Sequence, residues 1–261
     1  AGRGPPLALG QGRAQPEAPV TRALALAALV LAPGAAPAQE EGTRLAFTLG
    51  AGVGVTPDYF GSDESQVGPD FAFSLGRVVI GPLRFGPRDG EAEQLGWGFR
   101  GSFRYVPERS SDDNPELAGL PDVPLSIELG GGVDYAQAWW EAFAVARYGV
   151  IGHEALVGEI GMDLIARPAD RLTLRAGPRI QIASADFMDT YFGTPGFDPG
   201  AGVWSSGVEV TAAYALGGAW GIEASARYDR LQRDAARSPI SESDDQFSAS
   251  LALTRRFDFR F

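Results

Sequence analysis

The stretch "QFSASLALTRRFDFRF", Gln246 to Phe261, decides how the rest of the chain is read. Phe247, Ala249, Leu251, Leu253, Phe257, Phe259 and Phe261 share one parity, while Ser248, Ser250, Thr254, Arg256, Asp258 and Arg260 share the other. A period of two is a strand with one apolar and one polar face. The same alternation recurs upstream with hardly a helical pattern between. Leu45, Phe47, Leu49, Ala51 and Val53 oppose Ala46, Thr48, Gly50, Gly52 and Gly54, and Trp220, Ile222 and Tyr228 oppose Glu223, Ser225, Arg227 and Asp229.

These segments exceed the usual strand of a soluble sandwich, about 5 to 6 residues. They approach the roughly 9 to 11 residues that cross a bilayer as a tilted strand, and many carry aromatics near their ends. The expected fold is all-β: a transmembrane antiparallel up-and-down β-barrel. Ten strands are expected, at 43–55, 69–86, 94–106, 123–135, 139–149, 155–167, 171–184, 203–216, 219–231 and 246–261. "PLRFG", Pro82 to Gly86, is read as a continuation of the second strand across a bulge at Gly81-Pro82. A twelve-strand alternative places an extra hairpin between 69 and 94. With both termini periplasmic, the long connections near 56–68, 107–122, 185–202 and 232–245 come out external, and the tight links at 136–138, 168–170 and 217–218 periplasmic.

Apolar side chains then face lipid and charged ones face the lumen. Arg104, Glu128, Glu159, Asp163, Arg171, Arg175, Arg179, Glu209, Glu223, Arg227 and Asp229 are the expected lumen charge network. A ten-strand barrel is only slightly wider than the eight-strand barrels whose side chains fill them, so a salt-bridged plug is favoured over an open pore.

Composition narrows the function classes. The chain has 261 residues, a formal charge of −11, no cysteine, one histidine, and arginine as its only strongly basic residue type. Lack of cysteine argues against a thiol nucleophile, a zinc ribbon or a disulfide framework. The acidic balance argues against a nucleic-acid partner, which needs a basic footprint. Residues 1–38 differ from the rest. Arg22 precedes the apolar run Ala23 to Ala32, and Ala36-Pro37-Ala38 offers small residues before Gln39. That order is the layout of a cleavable signal peptide, with Ala36 and Ala38 at the cleavage site and the barrel domain at 39–261.

Motifs with chemical potential have simpler readings. Gly50, Gly52 and Gly54 lack the βαβ unit of a dinucleotide loop, and fit as small lumen residues. The acidic groups Asp112, Asp113, Glu116, Asp122 and Glu242, Asp244, Asp245 lack calcium-loop spacing. No metal or cofactor is expected. His153, in "GHEA", is the only imidazole for base catalysis; a hydrolase would rest on it and Glu154, with no serine of recognisable motif context nearby. A turn histidine and a non-enzymatic barrel are the preferred readings.

Three stretches resemble the MltA-interacting protein (MipA/OmpV) family of Gram-negative outer-membrane proteins: "GAGVGVTPDYFGSDE" from Gly50, "YFGTPGF" from Tyr191, and "RYDRLQRDAARSPISESDDQFSASLALTRRF" from Arg227. The loop residues that carry it are Pro57, Asp58, Tyr59, Gly61, Ser62, Asp234, Ser238 and Pro239. The "DFRF" after Arg256-Phe257 departs from the family pattern. The resemblance implies an outer-membrane location and a scaffold linking a lytic transglycosylase to a peptidoglycan synthase; some members are porin-like. It also makes Phe257, Phe259 and Phe261 a C-terminal signal for the barrel-assembly machinery, and puts lipid and lipopolysaccharide around the barrel.

Overall fold

The computed structural model describes residues 43–86, 95–111 and 114–261. The expected signal peptide, with Ala36 and Ala38, lies outside the described residues. The chain forms β1 (Arg44–Pro57), β2 (Ser65–Ile80), β3 (Leu83–Phe85), β4 (Gly96–Val106), β5 (Ser126–Ala136), β6 (Trp140–Ile151), β7 (Leu156–Ala169), β8 (Leu172–Ala183), β9 (Gly202–Gly217), β10 (Trp220–Leu231) and β11 (Asp245–Arg260). Among the described residues α1 (Ala185–Phe192), α2 (Arg233–Arg237) and a 3-10 turn at Pro115–Leu117 interrupt the loops. Among the described residues no helix is long and apolar enough to cross a membrane.

The strands make one antiparallel sheet in the order β3-β2-β1-β11-β10-β9-β8-β7-β6-β5-β4. First and last strands are joined: Arg44 lies opposite Arg260 and Val55 opposite Ala249. The Phe261 amide extends that ladder by donating to the Thr43 carbonyl at 2.8 Å, so the terminal "DFRF" continues the last strand in register. The sheet curls into a nearly closed barrel whose seam lies between β2 and β4. No backbone ladder joins those two strands among the described residues. Side chains meet there instead, with the rings of Phe71 of β2 and Tyr105 of β4 5.6 Å apart and those of Phe85 of β3 and Phe99 of β4 4.5 Å apart.

The strand count corrects the sequence reading. The expected strand 69–86 is two, making eleven strands among the described residues in place of ten. Gly81 takes a φ of +57°, a left-handed conformation that glycine adopts without strain, and the chain reverses there. Residues of β3 then pair back on β2, with Ile80 opposite Leu83 and Val78 opposite Phe85. Three residues are too few to cross a bilayer, which leaves ten long strands with the expected alternation.

Large apolar side chains stand exposed around the outside, among them Leu49, Val53, Leu129, Ile160 and Leu251. Such a belt in water would be a severe aggregation liability; facing lipid it is the ordinary exterior of a membrane barrel. Trp97, Trp139, Trp220 and Phe261 are exposed at the short-turn end, in the manner of an interfacial girdle.

The hydrophobic core lies at the long-loop end of the barrel. Phe187, Met188, Tyr191 and Phe192 of α1 pack with Trp204, Val157, Leu231 and Ala235, all buried. The sequence explains the helix. Ser184 caps it by accepting from the Phe187 amide, and Phe187, Met188, Tyr191 and Phe192 recur at i, i+1, i+4 and i+5 on one face. Phe60, from the loop after β1, inserts beside them, its ring centroid 5.0 Å from those of Tyr191 and Trp204.

Candidate functional site

The inward parity of the strands brings most of the expected charges together. Arg179 donates to Asp163 Oδ1 at 2.7 Å and to Glu209 Oε1 at 3.2 Å. Arg227 reaches Glu159 Oε2 and Glu209 Oε2, each at 3.2 Å, and Asp229 on its own strand. Since β7, β8, β9 and β10 are successive neighbours, these pairs tie four strands across the lumen. Arg147 donates to Glu128 Oε2 at 2.8 Å, with both side chains almost fully buried. Breaking such a pair by removing one partner leaves a buried uncompensated charge, at a cost of about 3 to 5 kcal/mol.

The remaining expected residues divide. Arg104 donates to Gln181 Oε1 at 2.8 Å, and its guanidinium lies 5.1 Å from the Phe60 ring centroid and 5.7 Å from that of Trp204. Arg175 approaches Glu141 Oε1 at 3.7 Å, and Glu223 lines the lower lumen. Arg171 does not join them. It stands exposed in the turn before β8, because the pairing of β8 starts at Leu172 opposite Tyr214.

Arg100 and Gln181, on the polar parity of their strands but outside the expected network, also take part, and Glu141 and Arg147 escaped the sequence reading. Glu141 and Arg147 share the inward parity of β6 with Phe143 and Val145, while Ala142, Ala144 and Ala146 face outward. This strand puts its bulkier side chains inside, so its polar face is hidden by size. The signal available was Glu141 and Arg147 six residues apart on one strand. Phe143 earns its interior place by cation–π contact, with Arg100 4.1 Å and Arg179 5.1 Å from its ring centroid.

Among the described residues the lumen holds an upper and a lower cavity. The upper, about 380 Å³, lies under the aromatic lid, and the lower, about 520 Å³, reaches toward the short-turn end. Phe73, Arg100, Gly101 and Glu209 line both.

The loops over the upper cavity are locked by the residues quoted for the family resemblance. The Gly61 amide donates to Gln246 Oε1 at 3.0 Å, and Gln246 Nε2 donates back to the Ser62 carbonyl at 3.1 Å. Tyr59 Oη donates to the Ile240 carbonyl at 3.1 Å, and Ser238 Oγ to the Phe192 carbonyl at 2.6 Å. Burial and its bond to Glu116 hold the Tyr59 phenol above its ordinary pKa, so it remains a donor. Asp234 Oδ2 accepts from the Gly200 amide at 3.0 Å. Asp58 accepts through its carbonyl from Gln66, while Pro57 closes β1 and Pro239 stands between Ser238 and Ile240. The motif thus fastens the loop after β1, α1 and the loop after β10 to one another.

A family model described as MltA-interacting protein MipA matches residues 49–257. The chain belongs to the MipA family. The residues of the motif therefore serve, in this MipA-family barrel, to hold the lid. Among solved structures, an outer membrane channel from Pseudomonas putida F1 is 10% identical, with a TM-score of 0.41 over 87% of this chain and 100% of that chain. The outer membrane channel DcaP of Acinetobacter baumannii is 8% identical, with a TM-score of 0.36 over 84% and 99%. The translocator domain of autotransporter NalP from Neisseria meningitidis is 14% identical, with a TM-score of 0.35 over 84% and 90%. No curated protein sequence matches the chain.

In this MipA-family member His153 is buried, and its partner is Glu128 rather than Glu154. Its Nε2 lies 3.3 Å from Glu128 Oε1, and its Nδ1 accepts from the Ala155 amide at 3.0 Å. Ser126 Oγ is close, but it accepts from the His153 backbone amide and lies 3.2 Å from Tyr191 Oη. Both ring nitrogens are therefore engaged, and neither addresses a hydroxyl nucleophile.

Proposed function

We propose that the protein is a closed outer-membrane anchor, and that its short-turn end is a periplasmic docking face for a murein lytic transglycosylase and, through it, a peptidoglycan synthase. One observation carries the closed state: fully buried aromatics of α1 cover one mouth of the barrel, and ion pairs cross the lumen beneath them. The family's description as MltA-interacting supplies the partner class. The docking face would be the turns at 137–139, 170–171 and 218–219, and the stacked Phe257, Phe259 and Phe261 would serve the assembly machinery.

The test is capture of a purified membrane-bound lytic transglycosylase by the refolded, immobilised protein. Capture is expected to weaken with charge reversal at Asp170 and Arg171 in the turn, and to persist with changes in α1. Equal capture by an unrelated barrel would end the anchoring reading.

A narrow channel is the second reading, favoured by the two cavities that share lining residues. Under it, reversing Arg175 and Arg179 would change single-channel conductance.

A further inference from the structure

Along β10 and β11 the outward side chains mark both margins of the lipid-facing band. On β11 they are Phe247, Ala249, Leu251 and Leu253, and opposite them on β10 stand Tyr228, Ala226, Ala224 and Ile222, none of them charged. Charge returns in the row above, where Arg230 lies opposite Asp245, and in the row below, where Arg255 lies opposite Trp220. Ten residues separate these two rows. At about 3.3 Å per residue and a tilt of about 40°, that is about 25 Å of depth, the height of the apolar band of a membrane barrel.

The two margins differ. The upper arginine has a carboxylate across the ladder, to which Tyr228 Oη also donates at 2.6 Å. Arg255 has none. It is exposed, its neighbours across the two ladders are Trp220 and Leu49, and it makes no side-chain hydrogen bond or ion pair among the described residues. Its guanidinium rests against rings, 5.1 Å from the Trp220 centroid and 5.2 Å from that of Phe257. Ring faces hold a guanidinium in place and leave its N–H groups for another acceptor. The half-exposed Trp220 carries an indole N–H that makes no hydrogen bond among the described residues either. A cation at the edge of the hydrocarbon is costly without a counter-charge. The membrane itself supplies one, since phosphate diesters line this margin of a phospholipid leaflet and match the guanidinium fork.

We propose that Arg255 and Trp220 form a binding site for the phosphate of a phospholipid in the leaflet at the short-turn end. The guanidinium donates to the phosphate oxygens while the two rings hold it, and the indole N–H adds a second donor. Above them the small side chains of Ala224, Ala226 and Ala249 sit among Val210, Leu251 and Leu253, a shallow apolar surface for an acyl chain. The site lies on the barrel wall and is separate from the turns proposed for docking.

The experiment is native mass spectrometry of the refolded full chain, titrated in detergent with dioleoylphosphatidylglycerol and, in parallel, with a dioleoyl galactolipid that has the same chains and no phosphate. One saturable phospholipid is expected on the wild type, with the galactolipid at least about fivefold weaker. Arg255→Met is expected to weaken the phospholipid about fivefold, the worth of one arginine near a lipid surface. Trp220→Phe keeps a ring and removes the N–H, and a loss of about threefold is expected. Arg230→Met is expected to change nothing. Heat-modifiable migration checks folding of each variant. If Arg255→Met does not fold, Arg255→Lys, which keeps the charge and loses the fork, takes its place with an intermediate loss expected. Equal retention of the two lipids would overturn phosphate recognition. Equal losses from Arg255→Met and Arg230→Met would mean bulk charge only and would overturn the site, and displacement of the lipid by inorganic phosphate alone would overturn a lipid as its ligand.

Discussion

The two ends of the barrel solve different problems. The long-loop end is a small hydrophobic domain, with α1, Phe60 and Trp204 packed as in a water-soluble core and the loops fastened by bonds from Tyr59, Ser238 and Gln246. The short-turn end has tight links, exposed tryptophans and a lumen of paired charges above the lower cavity. The contrast separates two sources of stability. Lipid-facing strands gain little by burying apolar groups from one another, since lipid is as apolar as they are. The lid gains the full hydrophobic transfer from water. A solid end and a polar end make a stopper whose free face points the other way.

The contrast breaks most readily at the lid. Phe187→Ala empties a fully buried site, and a loss of about 3 to 5 kcal/mol is expected in denaturant unfolding. The unfolding slope should fall as well, since the lid then opens apart from the strands. Next in size comes the lumen. Asp163→Asn takes from Arg179 its shortest and most buried ion pair while Glu209 remains at 3.2 Å, and a loss of about 1 to 3 kcal/mol is expected, with the lid's hydrogen-exchange protection unchanged.

Smaller effects come from titration of the loops. Partial desolvation, with Glu116, Asp63 and Glu64 nearby, raises the Glu242 carboxyl above its ordinary pKa. A raised carboxylate pKa means a cost present above the folded value and relieved as pH falls through it. Glu242→Gln is therefore expected to protect the Gly61 amide more at neutral pH and to lose that advantage in acid, by hydrogen exchange. Asp122 has the opposite sign. Bonds from the Ser111 amide and hydroxyl lower its pKa, so its contribution is present above the ordinary carboxylate value and lost as pH falls through the lowered one. Asp122→Asn should loosen the loop between β4 and β5 at neutral pH only. The smallest expected change is Arg44→Ala at the short-turn end, which removes a partly exposed pair with Asp258 and costs about 1 kcal/mol or less.

What the sequence showed follows from range. Alternation is a property of neighbouring residues, so the ten long strands, their inward charges and the loop end were legible. Where one face was not the more polar, as in β6 with alanines outside and Phe143 and Val145 inside, Arg147 went unnoticed. The helix α1 was missed because "SADFMDTYF" sits between strands and spans barely two turns, although its cap and its two apolar pairs, Phe187-Met188 and Tyr191-Phe192, were present. The Gly81-Pro82 turn reads equally as a bulge or a reversal until the pairing of Arg84 with Val79 is seen. The seam was beyond reach, because it depends on which strands fail to pair.

The central claim is that the lid and the crossing ion pairs close the barrel. Single-channel recording of the refolded protein in a planar bilayer tests it most directly, beside a variant with Phe187→Ala and Phe192→Ala. The account expects a silent wild-type barrel and unstable openings only when the lid is cut. Regular conducting steps in the wild type, altered by reversing Arg175 and Arg179, would contradict it.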